Sequence, residues 1–401
     1  MLFLFEDYTL DSDRRELRRG PSLLSVEPQV FDLLVFLINN RDRVVSRDDL
    51  LASVWGGRTV SESTLASRIN AARRAVGDTG QQQKLIRTIA RKGFRFVAKV
   101  NEPAKHREPD VATKVQSSKT LSNLRQEIHF CTTSDGVRIG YAEVGQGPPL
   151  IKAANWLNHL EYDWVSPVWS PLLHAIAAEH RLIRYDARGN GLSDWDVNDV
   201  SFEGWVRDLE SVVAATRVER FALLGMSQGC AVSIAYTVRH PERVSHLVLY
   251  GGFARGRRKR GSQQEIEASD AVVTLMRQGW GQENPAFRQL FTSLFIPGGT
   301  PEQMQWYNDL QRITTSPENA VRIRQFSDNI DITDLLPNIK TPTLVLHCSN
   351  DAVQPFEEGR RLAAGIAGAR FVALAGRNHA ILESEPAWPR FIEEITSFVR
   401  S

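Results

Sequence analysis

At 401 residues, with 42% hydrophobic and 24% charged residues, the chain exceeds one ordinary core and reads as folded and soluble rather than fibrous or disordered. Three scattered cysteines, Cys131, Cys230 and Cys348, exclude a disulfide framework or a zinc cluster and fit a reducing cytosol, and no stretch approaches the roughly 20 apolar residues of a membrane span. The net charge of +2 conceals an asymmetry: residues 1–100 carry 17 Lys/Arg against 12 Asp/Glu, so the remainder is net acidic, which points to nucleic acid at one end only or to a merely solvated basic face.

The start, Met-Leu-Phe-Leu-Phe, lacks a basic flank and runs straight into Glu6 and Asp7, so no secretion signal is expected. Short apolar stretches broken by turns over 1–25 predict a small sheet. Val30, Leu33, Leu34, Leu37 and Ile38 recur at helical spacing over 27–39. Ser46-Arg47-Asp48-Asp49 opens a second helix, which stops at Gly56-Gly57. A third begins near Ser61, with Leu65, Ile69, Ala72 and Val76 in one narrow arc, and ends at Gly77. Residues 84–98 alternate around Gly93 as a hairpin with a tight tip.

Three helices and a basic hairpin are the parts of a winged helix. With the apolar arc inward, the third helix presents Ser63, Ser67, Asn70 and Arg74, flanked by Arg68 and Arg73. Asn pairs bidentately with adenine, and Arg with guanine or phosphate. Arg91, Lys92 and Arg95 near the hairpin tip can reach phosphates or the minor groove, while Phe94 and Phe96 anchor the strand. Residues 59–97, with the third-helix pattern and the wing's Arg87-Thr88 followed by Gly93-Phe94-Arg95-Phe96, resemble the OmpR/PhoB-type winged helix. The resemblance implies that the third helix reads the major groove of double-stranded DNA, that the wing grips the backbone, and that a homodimer is a candidate assembly. Because the module begins at residue 1, phosphorylation of an upstream domain is not the expected input.

Residues 101–127 are polar, with Pro103 and Pro109, and predict a flexible linker. Beyond it a hairpin turns at Asp135-Gly136. Strand-like runs follow at 150–154, 181–185, 220–224, 244–250, 343–347 and 370–374, separated by helical segments at 202–216, 228–239, 357–366 and 386–399. This alternation predicts a mainly parallel sheet covered on both faces. The interval 252–335 breaks the rhythm as a helical insertion.

Gly225-Met226-Ser227-Gln228-Gly229 lies between an apolar strand and a helix, the context of a G-x-S-x-G nucleophile elbow. A serine needs a base, and the base an orienting acid. Asp351 follows the strand-like run at 343–347 and His379 the one at 370–374, in the required order, so Ser227, Asp351 and His379 form the candidate triad. The segment 128–400 resembles the α/β-hydrolase superfamily, in particular the hydrolase-like domains fused to bacterial regulators and nucleotide cyclases. The stretches that carry this likeness are 156–161, 185–194 and Arg377-Asn378-His379 with Glu385-Pro386-Ala387-Trp388. The resemblance makes 252–335 a lid. Many enzymes of this fold carry His-Gly after the third strand; this chain has Ala153-Ala154-Asn155-Trp156. An oxyanion hole would then use the Gln228 N–H with that of Asn155 or Trp156, and losing one such donor costs about 10²–10³ in rate.

Lesser candidates carry structural readings beside functional ones: Asp186 and Arg188 as an ion pair, His159 as a cap or pocket residue, and Trp156, Trp164 and Trp169 as core or ligand cage. Cys230 reads as packing, and the run 255–260 as a solvated loop, a DNA contact or an anion partner. The expected organisation is a winged-helix domain over 1–100, a linker over 101–127 and an α/β-hydrolase domain over 128–401. The expected function is a cytoplasmic, DNA-binding transcription regulator whose hydrolase domain senses, and can hydrolyse, a small-molecule ligand. The alternatives are a serine hydrolase of esters or lactones with an accessory DNA-binding domain, and a regulator built on a catalytically dead scaffold. No metal, organic cofactor or membrane partner is expected.

Overall fold

The computed structural model describes residues 2–12, 16–20, 22–24, 26–54, 62–89, 92–98, 100–101, 124–282 and 284–400. The chain divides into two compact units, Met1–Ala112 and Thr113–Ser401. Most of the expected linker lies outside the described residues, as do Arg91, the Gly56-Gly57 helix stop and Ser61.

The first unit opens with an antiparallel sheet of four strands in chain order, β1 (Leu2–Phe5), β2 (Tyr8–Asp11), β3 (Glu16–Arg19) and β4 (Ser22–Leu24). Helices α1 (Pro28–Asn39), α2 (Arg47–Val54) and α3 (Glu62–Ala75) follow. Helix α2 starts where its sequence says it must: the Ser46 hydroxyl accepts from the Asp49 N–H, and the Asp49 carboxylate accepts from the Ser46 N–H. This reciprocal cap satisfies two N–H groups that the helix cannot. Phe3, Phe5, Leu10, Leu33, Leu34, Leu37, Leu65, Ile69 and Val76 close one core. The hairpin pairs β5 (Ile86–Ile89) with β6 (Gly93–Phe96), Ile86 opposite Phe96. Phe96 is buried in the core and Phe94 is half-buried against it. Gly93 serves a close approach as much as a turn. With φ +134°, it faces the Val45 carbonyl so nearly that a Cβ would lie 2.0 Å from that oxygen.

In the second unit, β7 (Glu127–Thr132) and β8 (Arg138–Val144) form the hairpin around Asp135-Gly136. They edge an eight-stranded sheet with β9 (Pro149–Lys152), β10 (Arg181–Tyr185), β11 (Phe221–Met226), β12 (Val244–Tyr250), β13 (Thr343–Cys348) and β14 (Arg370–Leu374). The spatial order is β14-β13-β12-β11-β9-β10-β8-β7, and every pair from β10 to β14 is parallel. All residues of β11 and β13 are buried, as strands covered on both faces must be. The helices are α4 (Leu160–Trp164), α5 (Ser170–Ala177), α6 (Phe202–Thr216), α7 (Gly229–Arg239), α12 (Phe356–Gly365) and α13 (Trp388–Arg400).

The insertion between β12 and β13 holds α8 (Gln263–Gly279), α9 (Pro285–Phe295), α10 (Pro301–Thr314) and α11 (Pro317–Asn329), flanked by short 3₁₀ turns. Its helices are punctuated by local chemistry. Ser262, Asn284, Thr300 and Ser316 cap them through side-chain oxygens, and a proline opens each of the last three. Among the described residues, no helix is long and apolar enough to cross a membrane.

Candidate functional site

Ser227 stands between β11 and α7 with φ +52°, a left-handed conformation that a serine adopts only when its surroundings impose it. Its N–H is fixed by the Tyr250 carbonyl at 2.9 Å. The two glycines of the elbow are needed for approach rather than for the turn. A Cβ on Gly225 would meet Ser233 Oγ at 2.7 Å, and one on Gly229 would meet the Ala154 carbonyl oxygen at 2.7 Å. The strain therefore falls on the serine itself, which projects from the carboxyl end of the sheet.

Asp351 and His379 leave the carboxyl ends of β13 and β14 and meet, with His379 Nδ1 2.6 Å from Asp351 Oδ2. The other Asp351 oxygen accepts the N–H groups of Val353 and Gln354 at 2.8 and 3.0 Å. Burial alone would raise this carboxyl's pKa, but the charge and hydrogen bond of His379, with those N–H groups, hold it below the usual carboxylate range. A second histidine, His347, is wholly buried 3.8 Å from the same Asp351 oxygen and bonds to the Gln354 carbonyl. Burial depresses its pKa, which favours the neutral ring.

His379 Nε2 is buried and has no partner among the described residues. It shares with Ser227 a small, partly open cavity, also lined by Asn155, Trp156, Trp169, Met226, Tyr250, Phe295, Tyr307 and Ala380. The free space there is about that of one water molecule. The backbone N–H groups of Asn155, Trp156 and Gln228 have no acceptor among the described residues. Trp156 leads into Leu157, another non-glycine residue at positive φ, +55°.

Residues of the insertion line this cavity. The Phe295 carbonyl at the end of α9 accepts the N–H groups of His379 at 2.8 Å and Ala380 at 3.2 Å. Gly298 donates to Asn378 Oδ1 at 2.7 Å. The Phe295 ring stacks on Tyr307 and meets His379 edge-on. Sequence reasoning missed Phe295 and Tyr307, because neither belongs to a motif and only the fold brings α9 and α10 over the sheet. Asn378 did stand inside a quoted stretch, next to the histidine.

Most lesser candidates are absorbed by structure. Arg188 is fully buried between Asp208 (2.8 Å) and Asp135 (2.7 Å), so its partner is not Asp186. Asp186 instead accepts the N–H groups of Leu160 and Leu192 and a bond from Asn158. His159 caps α4. Cys230 is buried, and Trp164 packs against His174. The arginines of the basic run are spent on partners within their own unit, Arg255 on Glu358, Arg257 on Asp328, Arg258 on Asp270, and Arg260 on Glu265 and Gln354, while Lys259 is exposed.

On the first unit, Leu65, Ile69, Ala72 and Val76 of α3 point into the core and Ser67, Asn70 and Arg74 are exposed. Arg68 is half-buried and paired with Glu27. Lys92 and Arg95 are exposed, Arg95 donating to the Arg41 carbonyl at 3.0 Å. Arg91 and the Ser63 side chain lie outside the described residues. The placement of Arg73 on the outward face is corrected. It is buried and donates to the Ile86 carbonyl (3.0 and 2.9 Å) and to Thr88 Oγ1 (2.8 Å), fastening the hairpin to α3. A guanidinium's fork can satisfy a strand end in this way, and helical spacing alone cannot tell that use from an outward one.

Residues 22–96 match the family of transcriptional regulatory protein C-terminal domains, the OmpR/PhoB type, and residues 154–388 match the alpha/beta hydrolase family. The chain belongs to the alpha/beta hydrolase family, here fused behind a DNA-binding regulatory domain. It is 26% identical over 259 residues to the AB hydrolase superfamily protein YisY of Bacillus subtilis, covering 64% of this chain and 94% of that one. Among solved structures it resembles the esterase RhEst1 from Rhodococcus sp. ECU1013, with a TM-score of 0.56 at 26% identity over 68% of this chain and 98% of that one. The esterase EaEST from Exiguobacterium antarcticum gives a TM-score of 0.58 at 24% identity, covering 68% of this chain and 99% of that one, a likeness of fold.

Proposed function

We propose that this protein is a DNA-binding transcription regulator whose hydrolase domain binds, and slowly hydrolyses, a small uncharged ester-like ligand, an ester or lactone. The observation that carries it is that Ser227, on its strained elbow, lines one cavity with a histidine already held by Asp351 and with no partner on its other nitrogen among the described residues. In this reading Ser227 Oγ attacks the ligand's carbonyl carbon as His379 Nε2 takes the hydroxyl proton, and Asp351 steadies the imidazolium. The developing oxyanion is met by the Gln228 N–H and that of Asn155 or Trp156. His379 returns the proton to the leaving oxygen. It then takes a proton from a water that attacks the acyl-serine, and hands that proton to Ser227 Oγ as the bond from the acyl carbon to Oγ breaks and the acid leaves. The aromatic, uncharged walls favour a short apolar acyl group. The esterase likeness agrees with this.

The domains run over 1–100 and 128–401 with a linker between, and the insertion at 252–335 serves as a lid that must open to admit anything larger than water. Ser67, Arg68, Asn70, Arg74, Lys92 and Arg95, with Ser63 and Arg91, make the DNA-facing set, and the protein acts in the cytoplasm as a homodimer. Ligand binding or turnover moves the lid and changes DNA affinity.

The test is fluorophosphonate labelling of the purified protein beside its Ser227→Ala variant, followed by gel shifts with esters and lactones. Labelling of the wild type alone supports an activated serine. A folded wild type that stays unlabelled, with DNA binding indifferent to every ligand tried, overturns the proposal.

A further inference from the structure

Lys152 ends the central strand β9 and is buried to 7% exposure directly behind the cavity wall. A buried ammonium is costly unless its surroundings answer it. Its neighbours are specific. Nζ bonds the side-chain oxygen of Asn155 and lies 5.7 Å from the centre of the Trp169 ring. The Asn155 carboxamide spends its other end on the Trp156 carbonyl oxygen at 3.0 Å. Asn155, Trp156 and Trp169 all line the cavity that holds Ser227 and His379, while Lys152 does not. The opposite charge comes from Asp163, on α4, and from Asp186, after β10. Arg184 on β10 is a second buried cation beside them, 4.0 Å from Asp163.

The chain of bonds runs from Nζ through the Asn155 carboxamide to the peptide joining Trp156 and Leu157, which precedes the residue at φ +55°. That loop carries the backbone N–H groups of Asn155 and Trp156, which have no acceptor among the described residues. A short loop holding positive φ and open donors does not keep that shape by itself. A single charge-assisted bond to its side chain can fix it.

We infer that Lys152 is a positioning residue for the oxyanion hole, acting through Asn155 to aim the backbone N–H groups of Asn155 and Trp156 at the reacting carbonyl. This rests on the reading of Ser227 as a nucleophile. Asn at this place is chosen as the relay because its carboxamide can accept from the ammonium and donate to the carbonyl at once.

The experiment uses the full chain and four proteins: wild type, Lys152→Met, Asn155→Ala and the double variant. Each is melted to check folding, then assayed for fluorophosphonate labelling rate and for p-nitrophenyl butyrate hydrolysis. Met keeps the length of Lys and leaves no new charge on the wall. The expected result is that either single change slows labelling and lowers kcat by about tenfold to a hundredfold, with KM within about twofold, below the full loss of a donor. The double variant is expected to be no worse than the poorer single, because both remove the same relay.

Lys152→Met labelling at the wild-type rate overturns the inference, and so does a double variant whose losses multiply. Should Lys152→Met fail to fold, Asn155→Ala alone decides, since wild-type kinetics in that variant leave no relay. A wild type that neither labels nor turns over overturns the nucleophile reading, and the positioning role with it. Wild-type activity with indifferent variants overturns the positioning role alone.

Discussion

Two buried arginines, one in each unit, are answered differently. In the regulatory unit, Arg73 gives its guanidinium to neutral oxygens, the Ile86 carbonyl and Thr88, and so ties a helix to a hairpin. In the hydrolase unit, Arg188 is enclosed by the carboxylates of Asp208 and Asp135. The first is a hydrogen-bonded fastener at the rim of a small core, the second an ion pair inside a large one. The contrast extends to function. In the proposed function, the polar groups offered to a partner are those on the surface of α3 and the hairpin in one unit, and those lining the cavity of Ser227 and His379 in the other.

The contrast is sharpest if chemistry can be removed from one unit without touching the other. Ser227→Ala is expected to abolish fluorophosphonate labelling and lower kcat by at least about 10⁴-fold, while ligand-free DNA affinity stays within about twofold in a gel shift. Loss of ligand-free DNA binding in that variant would break the division of labour.

Arg188→Met leaves the Asp208 carboxylate buried without its cation. Removing one partner of a buried pair costs about 3–5 kcal/mol, so calorimetry should show the hydrolase transition shifted down or lost. A transition at the wild-type temperature would show that the pair contributes little.

Arg73→Ala and Asn70→Ala separate fastening from reading. Arg73→Ala strands a buried carbonyl and should cost about 1–3 kcal/mol of stability in the regulatory unit, lowering affinity for all DNA alike. Asn70→Ala should leave the melting temperature unchanged and cost about 1–3 kcal/mol of discrimination at one base pair, measured against single-base operator variants. Equal melting shifts in the two variants would contradict the fastening role of Arg73.

The smallest expected effect concerns pH. The folded carboxyl of Asp351 is held below its unfolded value of about 3.9. Its contribution is therefore present above that unfolded value and is lost as pH falls through the lower folded one. Asp351→Asn should remove this part of the acid limb in a stability–pH profile recorded by denaturant unfolding. An unchanged acid limb would mean that other carboxylates control it.

Much of this was written in local sequence. The apolar arc of α3, the strand–helix alternation and the G-x-S-x-G elbow each depend on a few neighbouring residues. Backbone period and cap chemistry act over that range, so Ser227, Asp351 and His379 could be named by their place after strands. The capping residues and prolines of α8 to α11 are equally local, although the sequence reading took that interval only as one helical block. Other features depended on packing between segments far apart in the chain. Arg73 turned inward because the end of β5 offered it oxygens some thirteen residues away. Arg188 chose Asp208 over the nearby Asp186. Phe295 and Tyr307 reached the cavity only because the insertion folds back over the sheet. The burial of Lys152 beside Asn155 follows from its place in a strand flanked by two others. Helical and strand periods report which way a side chain leaves the backbone. Which oxygen, ring or carboxylate it then meets is fixed by the packing of distant segments, and that only the tertiary structure decided.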